Sequence, residues 1–221
     1  MSIKNIHLRK LLILMYAPPN RLVSMLREDI RAEISKEAGK QGEGGDFHQA
    51  FWSDAKAHAM GLGDLQALVV GRVAASRQRK RLYPILSDAF LVWWNEKRRW
   101  INEPFRAVER RINARFPVHE VGAIIKVDNL LAVEFEDRSL RLVYPYFDEL
   151  LPLGDDAARV GLWVMTQTMS RAMPSEFRIL DVLRSKSYAI EDAPFRGDEE
   201  KLLLERYSYV LSEWARLRKE Y

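Results

Sequence analysis

Arginine and lysine side chains gather in three short clusters in the middle of the chain, and such clusters are suited to binding phosphate groups. The candidate nucleic-acid contacts are Arg77, Arg79, Lys80, Arg81, Lys97, Arg98, Arg99, Arg106 and Arg110. A guanidinium group can donate two parallel hydrogen bonds to one phosphate, and exposed aromatic side chains can stack on unpaired bases. Trp94 and Trp100 flank the second cluster, so both kinds of contact are available in this region.

The charge of the 221-residue chain is distributed unevenly. Residues 72–115 contain 12 Lys and Arg against 4 Asp and Glu, a net charge of +8, whereas residues 116–221 contain 14 against 19, a net charge of −5. An open basic region would bind a polyanion such as DNA or RNA. The same asymmetry arises if the basic residues pair with the acidic second half or with a protein partner, and the sequence leaves these alternatives open.

The tryptophans of the basic region have a second interpretation. Trp93, Trp94 and Trp100 follow Leu86 and Phe90 in a helical pattern. Large aromatic side chains at this spacing are typical of a buried core. We therefore expect the arginines, more than the tryptophans, to contact a ligand.

Residues for other chemistry are sparse, and we predict no metal and no cofactor. The chain has no cysteine, its four histidines are not spaced to share a helix face, and it has no Gly-rich phosphate-binding loop. Carboxylates in the second half could hold Mg²⁺. However, Glu136 and Asp137 suit a hairpin turn, and Asp155 and Asp156 suit the start of a helix.

The predicted elements change character along the chain. The first half reads as helices, including a buried one over residues 3–15, one over 84–101 and a short one over about 105–117. Asp64 is a candidate helix cap. Residues 121–146 read as a strand meander with turns at 128–129 and 137–139, followed by a helix to about Met173 and β segments at 177–183 and 187–190. A long helix then opens near Asp198.

This order predicts an α+β fold. A helical N-terminal half would be followed by a small, mainly antiparallel or mixed sheet packed by helices. The soft boundary lies near residue 117, between a helical region (1–117) and an α+β region (118–221), and we expect the two to form one integrated unit.

The order of elements over residues 121–190 resembles the core of PD-(D/E)XK nucleases. In that family one strand carries an Asp, the next carries Asp/Glu-x-Lys, a helix packs across them and a further strand follows. Residues 122–128, ending at Asp128, match the first strand, and residues 140–146 match the second. The helix containing Trp163 and the segment 177–183 match the remaining elements.

The resemblance implies a degenerate, inactive version of that core. Tyr144, Pro145 and Tyr146 stand where the family has its acid and its lysine. A metal-binding carboxylate and the cation that stabilises charge at the reacting phosphate are therefore missing.

These observations predict a non-enzymatic, nucleic-acid-associated accessory protein that binds phosphates through its Arg and Lys clusters. The alternatives are a protein–protein adaptor or complex subunit that uses its aromatic-rich helices, and a metal-dependent nuclease with an unrecognised acidic site. We expect a cytoplasmic location and no membrane association, because the apolar run near the N-terminus is short and interrupted by charges.

Overall fold

The computed structural model describes residues 3–39, 46–100, 102–108 and 112–221. Its α-helices are α1 (Leu8–Tyr16), α2 (Pro19–Glu37), α3 (Gln49–Ala59), α4 (Leu65–Ala75), α5 (Leu82–Val92), α6 (Asp155–Thr168) and α7 (Glu199–Arg218). Its strands are β1 (Asn5–His7), β2 (Phe105–Ala107), β3 (Ala114–Val118), β4 (Ala123–Val127), β5 (Leu131–Phe135), β6 (Leu140–Tyr146), β7 (Phe177–Asp181) and β8 (Lys186–Tyr188). The predicted α+β class, with helices concentrated toward the N-terminal side, is confirmed.

The strands form two mixed sheets. The smaller sheet has the order β1-β4-β3, with β1 parallel and β3 antiparallel to β4. The larger sheet has the order β2-β5-β6-β7-β8, in which only the β6–β7 pair is parallel. Helix α6 makes the crossover between these two parallel strands, as such a connection requires.

Helices cover both faces of the larger sheet. Successive side chains of a strand point to opposite faces, and the central strand β6 is buried on both. Leu142 and Tyr144 join a hydrophobic cluster with α1, α2, α6 and α7. Val143 joins a second cluster with α3, α4 and α5. Each cluster combines residues from before and after position 117.

The helix predicted over residues 105–117 is wrong. Residues 105–107 form β2 and pair with β5, and residues 114–118 form β3 and pair with β4. Burial along β3 alternates: Arg115 and Pro117 are exposed, and the residues beside them are more buried. Pro117 is tolerated because β3 is the last strand of its sheet. Pairing with distant strands therefore overrides the local helical spacing.

The predicted meander over residues 121–146 is corrected at its first turn. Strand β4 belongs to the smaller sheet and β5 to the larger one, so these neighbours in sequence do not pair. The chain changes sheets at Asp128 and Asn129, where Asn129 has a φ of +63°. Asparagine tolerates this left-handed conformation better than most residues. The turn predicted near Arg138 is confirmed, since its φ is +71°.

Three helix boundaries also bear on the predictions. The N-terminal segment begins with strand β1 and becomes helical only at Leu8, because residues 5–7 pair with β4. Helix α5 ends at Val92 and continues as a π-helical turn to Lys97, which leaves Trp100 outside the helix. The predicted cap of α4 is confirmed: the Asp64 carboxylate accepts a hydrogen bond from the Ala67 backbone N–H at 2.8 Å.

Among the described helices, none is long and apolar enough to cross a membrane.

Gly161 allows α6 to lie close against β7 and α1. A Cβ atom at this position would lie 2.5 Å from Ile179 Cδ1 and 3.0 Å from Leu12 Cδ1. We expect Gly161→Ala to lower the free energy of unfolding by about 1–3 kcal/mol, because overpacking outweighs the gain in helix propensity.

Gly71 is the matched control for this substitution, because it also lies within a helix but has open space where a methyl group would be added. Gly71→Ala should stabilise the protein by about 0.5–1 kcal/mol. Urea denaturation of both variants measures the contrast. Equal effects of the two substitutions would contradict the close packing at Gly161.

Candidate nucleic-acid interface

The first cluster, Arg77, Arg79, Lys80 and Arg81, forms a basic edge between two helices. A three-residue 3₁₀ turn over Arg77–Arg79 joins α4 to α5, and the shortness of this connection keeps the four side chains together. Arg77, Lys80 and Arg81 are exposed and Arg79 is half-buried. The local chain geometry thus presents several cations on one solvent-facing turn.

The members of the basic edge differ in their internal contacts. Arg81 donates two hydrogen bonds to the Glu149 carboxylate, at 2.5 and 2.7 Å, and these bonds lower the pKa of Glu149. The Arg79 guanidinium lies 5.5 Å from the centre of the Tyr83 ring. Within the described residues, neither Arg77 nor Lys80 forms an ion pair with a carboxylate. The basic edge therefore presents the exposed cations Arg77 and Lys80 beside Arg81, whose charge is paired with Glu149.

The second cluster does not form a single surface. Arg98 packs against aromatic rings, with its guanidinium 3.7 Å from the Trp94 ring centre and 4.9 Å from that of Trp100, and burial lowers the pKa of Arg98. Arg99 instead donates a hydrogen bond to Asp192 at 2.5 Å, and Lys97 is exposed. The three consecutive residues point into different surroundings.

The third cluster is tied to the larger sheet. Arg106 on β2 lies 3.0 Å from the Glu134 carboxylate on β5, its cross-strand neighbour. The hydrogen bonds from Arg106 and Arg138 lower the pKa of Glu134. Arg110, the other candidate of this cluster, lies outside the described residues. Arg81, Arg99 and Arg106 thus each pair with a carboxylate of the acidic second half.

The tryptophans of the basic region are buried, as their spacing predicts. Trp93, Trp94 and Trp100 expose 1%, 7% and 3% of their surface. They contact one another and Phe105 edge-on or at a tilt. They therefore contribute to the core and are not available to stack on bases.

A polar pocket of about 530 Å³ lies where the two sheets and α3 meet. Its lining consists of His7, Arg9, Asp46, Gln49, Ser53, Lys56, Ile112, Asn113, Asp128, Asn129, Leu130, Tyr144 and Pro145. The spacing of Gln49, Ser53 and Lys56 places them on one face of α3. Asp128, Tyr144 and Pro145, three positions singled out by the nuclease resemblance, lie around the same cavity.

Two carboxylates in the pocket are hydrogen-bonded to neighbouring side chains, Asp128 to His7 and Asp46 to Arg9. The His7 ring lies 2.9 Å from Asp128, Nδ1 to Oδ1, and its hydrogen bond lowers the pKa of Asp128. Arg9 donates to Asp46 at 2.6 Å. Burial raises the pKa of Asp46, but hydrogen bonds from His48 and Arg9, together with the Arg9 charge, hold it well below its usual range. Both carboxylates therefore stay ionised and already have donors.

Backbone and amide groups fix the remaining walls. The Asn129 side chain accepts a hydrogen bond from the Lys56 ammonium at 2.5 Å, and its backbone carbonyl accepts one from the Trp52 indole at 2.6 Å. The Tyr144 hydroxyl accepts a hydrogen bond from the Arg9 backbone N–H at 3.0 Å. Burial raises the pKa of Tyr144 above the usual range, which keeps the phenol protonated. Hydrogen bonds made by the buried Trp52 and Tyr144 side chains thus fix the walls of the pocket.

A series of ring contacts connects the basic edge to the polar pocket. These contacts, which we call the aromatic bridge, run through Arg79, Tyr83, Phe47, His48, Phe147 and Arg9. Each centre lies between 4.7 and 5.5 Å from the next. Tyr83 and Phe147 are buried, so this series of contacts runs through the protein interior.

Sequence reasoning missed the polar pocket as a site. His7 and Asp128 are 121 residues apart, so no local pattern joins them. The polar positions at intervals of four and three on α3 were the one local signal. In the part of the chain that the structure describes, no three His, Asp or Glu side chains are grouped to hold a metal ion.

Comparisons with known proteins give no family for this chain: no family model, curated protein or solved structure matches it.

Proposed function

We propose that this chain is a non-enzymatic, nucleic-acid-associated accessory protein whose basic edge binds phosphate groups. The observation that supports this most is the placement of Arg77, Arg79 and Lys80 on one exposed turn, where Arg77 and Lys80 have no carboxylate partner among the described residues. Phosphate contacts of this kind give affinity with little sequence preference. The proposal includes a cytoplasmic location, because the proposed ligand is intracellular nucleic acid.

The absence of catalysis is part of the proposal and has its own support. Asp128 is engaged by His7, and Tyr144, Pro145 and Tyr146 stand where the resembled nuclease family has its acid and its lysine. We expect no cleavage of DNA or RNA when Mg²⁺ or Mn²⁺ is supplied. Cleavage that disappears in Asp128→Asn would overturn this part and favour the metal-dependent nuclease.

Salt dependence tests the binding itself. Labelled single- and double-stranded DNA and RNA would be titrated with the protein at low and high salt. Three phosphate contacts to a duplex predict an affinity about 40-fold weaker at about 200 mM than at about 50 mM salt. Failure to bind any of these ligands at low salt would refute the proposal.

A protein–protein adaptor is the second candidate, and one observation favours it. Val70 and Ile85 are 68% and 49% exposed, and they lie on α4 and α5, the two helices that the basic edge joins. Exposed apolar surface can mark a protein-interaction site, and arginine is enriched at such interfaces. In this case a specific protein would co-purify with the chain, and Val70→Asp would release it without changing nucleic-acid affinity.

A further inference from the structure

Two arginines of the larger sheet, outside the three clusters apparent in the sequence, lie side by side on one face. Arg141 is the second residue of β6 and Arg178 is the second residue of β7, and these strands run parallel. Val143 is the pairing partner of Arg178, so Arg141, two residues before Val143, is on the same face. The Cα atoms of the two arginines are therefore about 8 Å apart, a separation that two long side chains can bridge.

Neutral groups hold both guanidiniums in place. Each arginine donates from Nη1 to the backbone carbonyl of the preceding residue, Arg141 at 2.9 Å and Arg178 at 2.7 Å. Arg178 Nη1 also donates to the Ser175 carbonyl at 2.6 Å, and the Arg141 guanidinium lies 5.1 Å from the centre of the Phe135 ring. Neither arginine forms an ion pair with a carboxylate of the described residues. Their positions are thus fixed without loss of their charge.

The two half-buried charges are close enough to act on each other. Burial lowers the pKa of Arg178, the neighbouring Arg141 and Arg99 also lower it, and Glu191 and Asp192 oppose these effects. Arg99 and Asp192 already pair with each other at 2.5 Å, and Glu191 is exposed. Arg141 and Arg178 therefore repel each other in partly buried surroundings, and an anion between them would remove this repulsion.

The free donors of the two guanidiniums suit a phosphate group. Nη2 of both Arg141 and Arg178 is accessible to solvent and forms no hydrogen bond within the described residues. A carboxylate is satisfied by the fork of one guanidinium and cancels one charge, whereas the oxygens of a phosphate group can accept hydrogen bonds from two guanidiniums together. Because the backbone carbonyls already hold both side chains, little side-chain entropy would be lost on binding.

We propose that Arg141 and Arg178, which we call the arginine pair, form a phosphate-binding site separate from the basic edge. Arg81 of the basic edge contacts Glu149 just beyond the C-terminal end of β6, whereas the arginine pair lies near the N-terminal ends of β6 and β7. A nucleic-acid backbone and a small phosphorylated molecule both present this group, so the site does not depend on the proposed function.

Calorimetric titration with inorganic phosphate, and with acetate at the same ionic strength, tests the site. Phosphate should bind and acetate should not. Arg178→Gln should weaken phosphate binding about ten- to a hundredfold, because charge-assisted hydrogen bonds are lost. Arg178→Lys should retain part of the affinity, because it keeps the positive charge but not the guanidinium fork.

Arg31→Gln is the matched control. Arg31 is exposed on α2, donates to the backbone carbonyl of Arg27 and pairs with no carboxylate of the described residues. Its replacement removes the same charge as Arg178→Gln and should leave phosphate affinity unchanged.

Arg141→Gln guards against an effect of a single variant on folding. It should weaken phosphate binding about as much as Arg178→Gln does, and circular dichroism verifies that each titrated variant is folded. Absence of phosphate binding to the unchanged protein would overturn the proposal. So would acetate binding as tight as phosphate binding, or equal phosphate affinity in the unchanged protein, Arg141→Gln and Arg178→Gln.

Titrations of a labelled duplex with the same variants identify the source of the phosphate group. If a nucleic-acid backbone supplies it, Arg178→Gln should weaken duplex binding at low salt more than Arg31→Gln does. If a small phosphorylated molecule supplies it, duplex affinity should be equal in these two variants while their affinities for inorganic phosphate differ. Phosphate binding by a protein that binds no nucleic acid would refute the proposed function and leave the arginine pair as a phosphate site.

Discussion

Arg159→Leu should lower the free energy of unfolding by about 3 kcal/mol, the lower end of the range for breaking a buried ion pair. Arg159 on α6 is 3% exposed and donates a hydrogen bond to Glu199 on α7 at 2.5 Å, and it also bonds Asp198. Glu199 is equally buried. Removing the cation leaves the Glu199 carboxylate without its charged partner, whereas the half-exposed Asp198 can be solvated.

Two further variants make the Arg159 experiment specific. Adding Glu199→Gln to Arg159→Leu should recover only part of the loss. The amide removes the buried charge, but it keeps one acceptor for the two backbone N–H groups of Arg196 and Gly197 that the carboxylate accepts. Arg216→Leu removes an exposed arginine paired with Glu213 on α7 and should have a far smaller effect. Denaturant titrations of the three variants measure their free energies of unfolding. An equal loss of stability in Arg159→Leu and Arg216→Leu would contradict the buried network.

The combined variant Arg77→Gln/Arg79→Gln/Lys80→Gln should lose nucleic-acid affinity on the order of a hundredfold at low salt. Each lost phosphate contact also reduces the slope of log affinity against log salt by about one. The three residues lie on an exposed turn, so the fold should tolerate their replacement. Fluorescence anisotropy with a labelled duplex measures both quantities.

The matched control for this variant is Lys36→Gln/Lys201→Gln/Lys219→Gln. It removes the same three charges from exposed positions on α2, on α7 and just beyond α7, away from the basic edge. If net charge alone governs binding, both triple variants will lose the same affinity, and the basic edge would then have no special role. A large loss in the first and a small loss in the second is the expected result.

Single substitutions in the other two clusters should have weaker effects on binding. Arg99 and Arg106 already pair with Asp192 and Glu134, so a phosphate would have to compete with these carboxylates. Arg98 is enclosed by Trp94 and Trp100. Among the eight candidates that the structure describes, Arg81, Arg98, Arg99 and Arg106 are already engaged, whereas the turn between α4 and α5 keeps several exposed cations together.

Local sequence signals predicted the local features well. The cap at Asp64, the turn near Arg138 and the burial of Trp93 and Trp94 could be inferred from residues within one or two helical turns. Trp100 is also buried, but it lies outside the observed helix and packs against Phe105 and Phe135. Capping, turn conformation and helical spacing are properties of such short segments, which explains why they could be predicted.

Features that depend on distant pairing could not be predicted in this way. The segments 105–107 and 114–118 carry a helical pattern of apolar residues but become strands because β5 and β4 offer partners. The polar pocket has the same origin. Its His7–Asp128 contact depends on the pairing of β1 with β4, which brings the two residues to one end of the smaller sheet.

Lysine footprinting of the nucleic-acid complex tests the central claim most directly. The protein would be acetylated with and without a saturating 5′-phosphorylated oligonucleotide, and the modification rate of each lysine followed by mass spectrometry. Bound nucleic acid at the basic edge predicts strong protection of Lys80, with Lys36, Lys201 and Lys219 reacting at unchanged rates. Protection of Lys36 or Lys219 while Lys80 reacts as before would contradict the account.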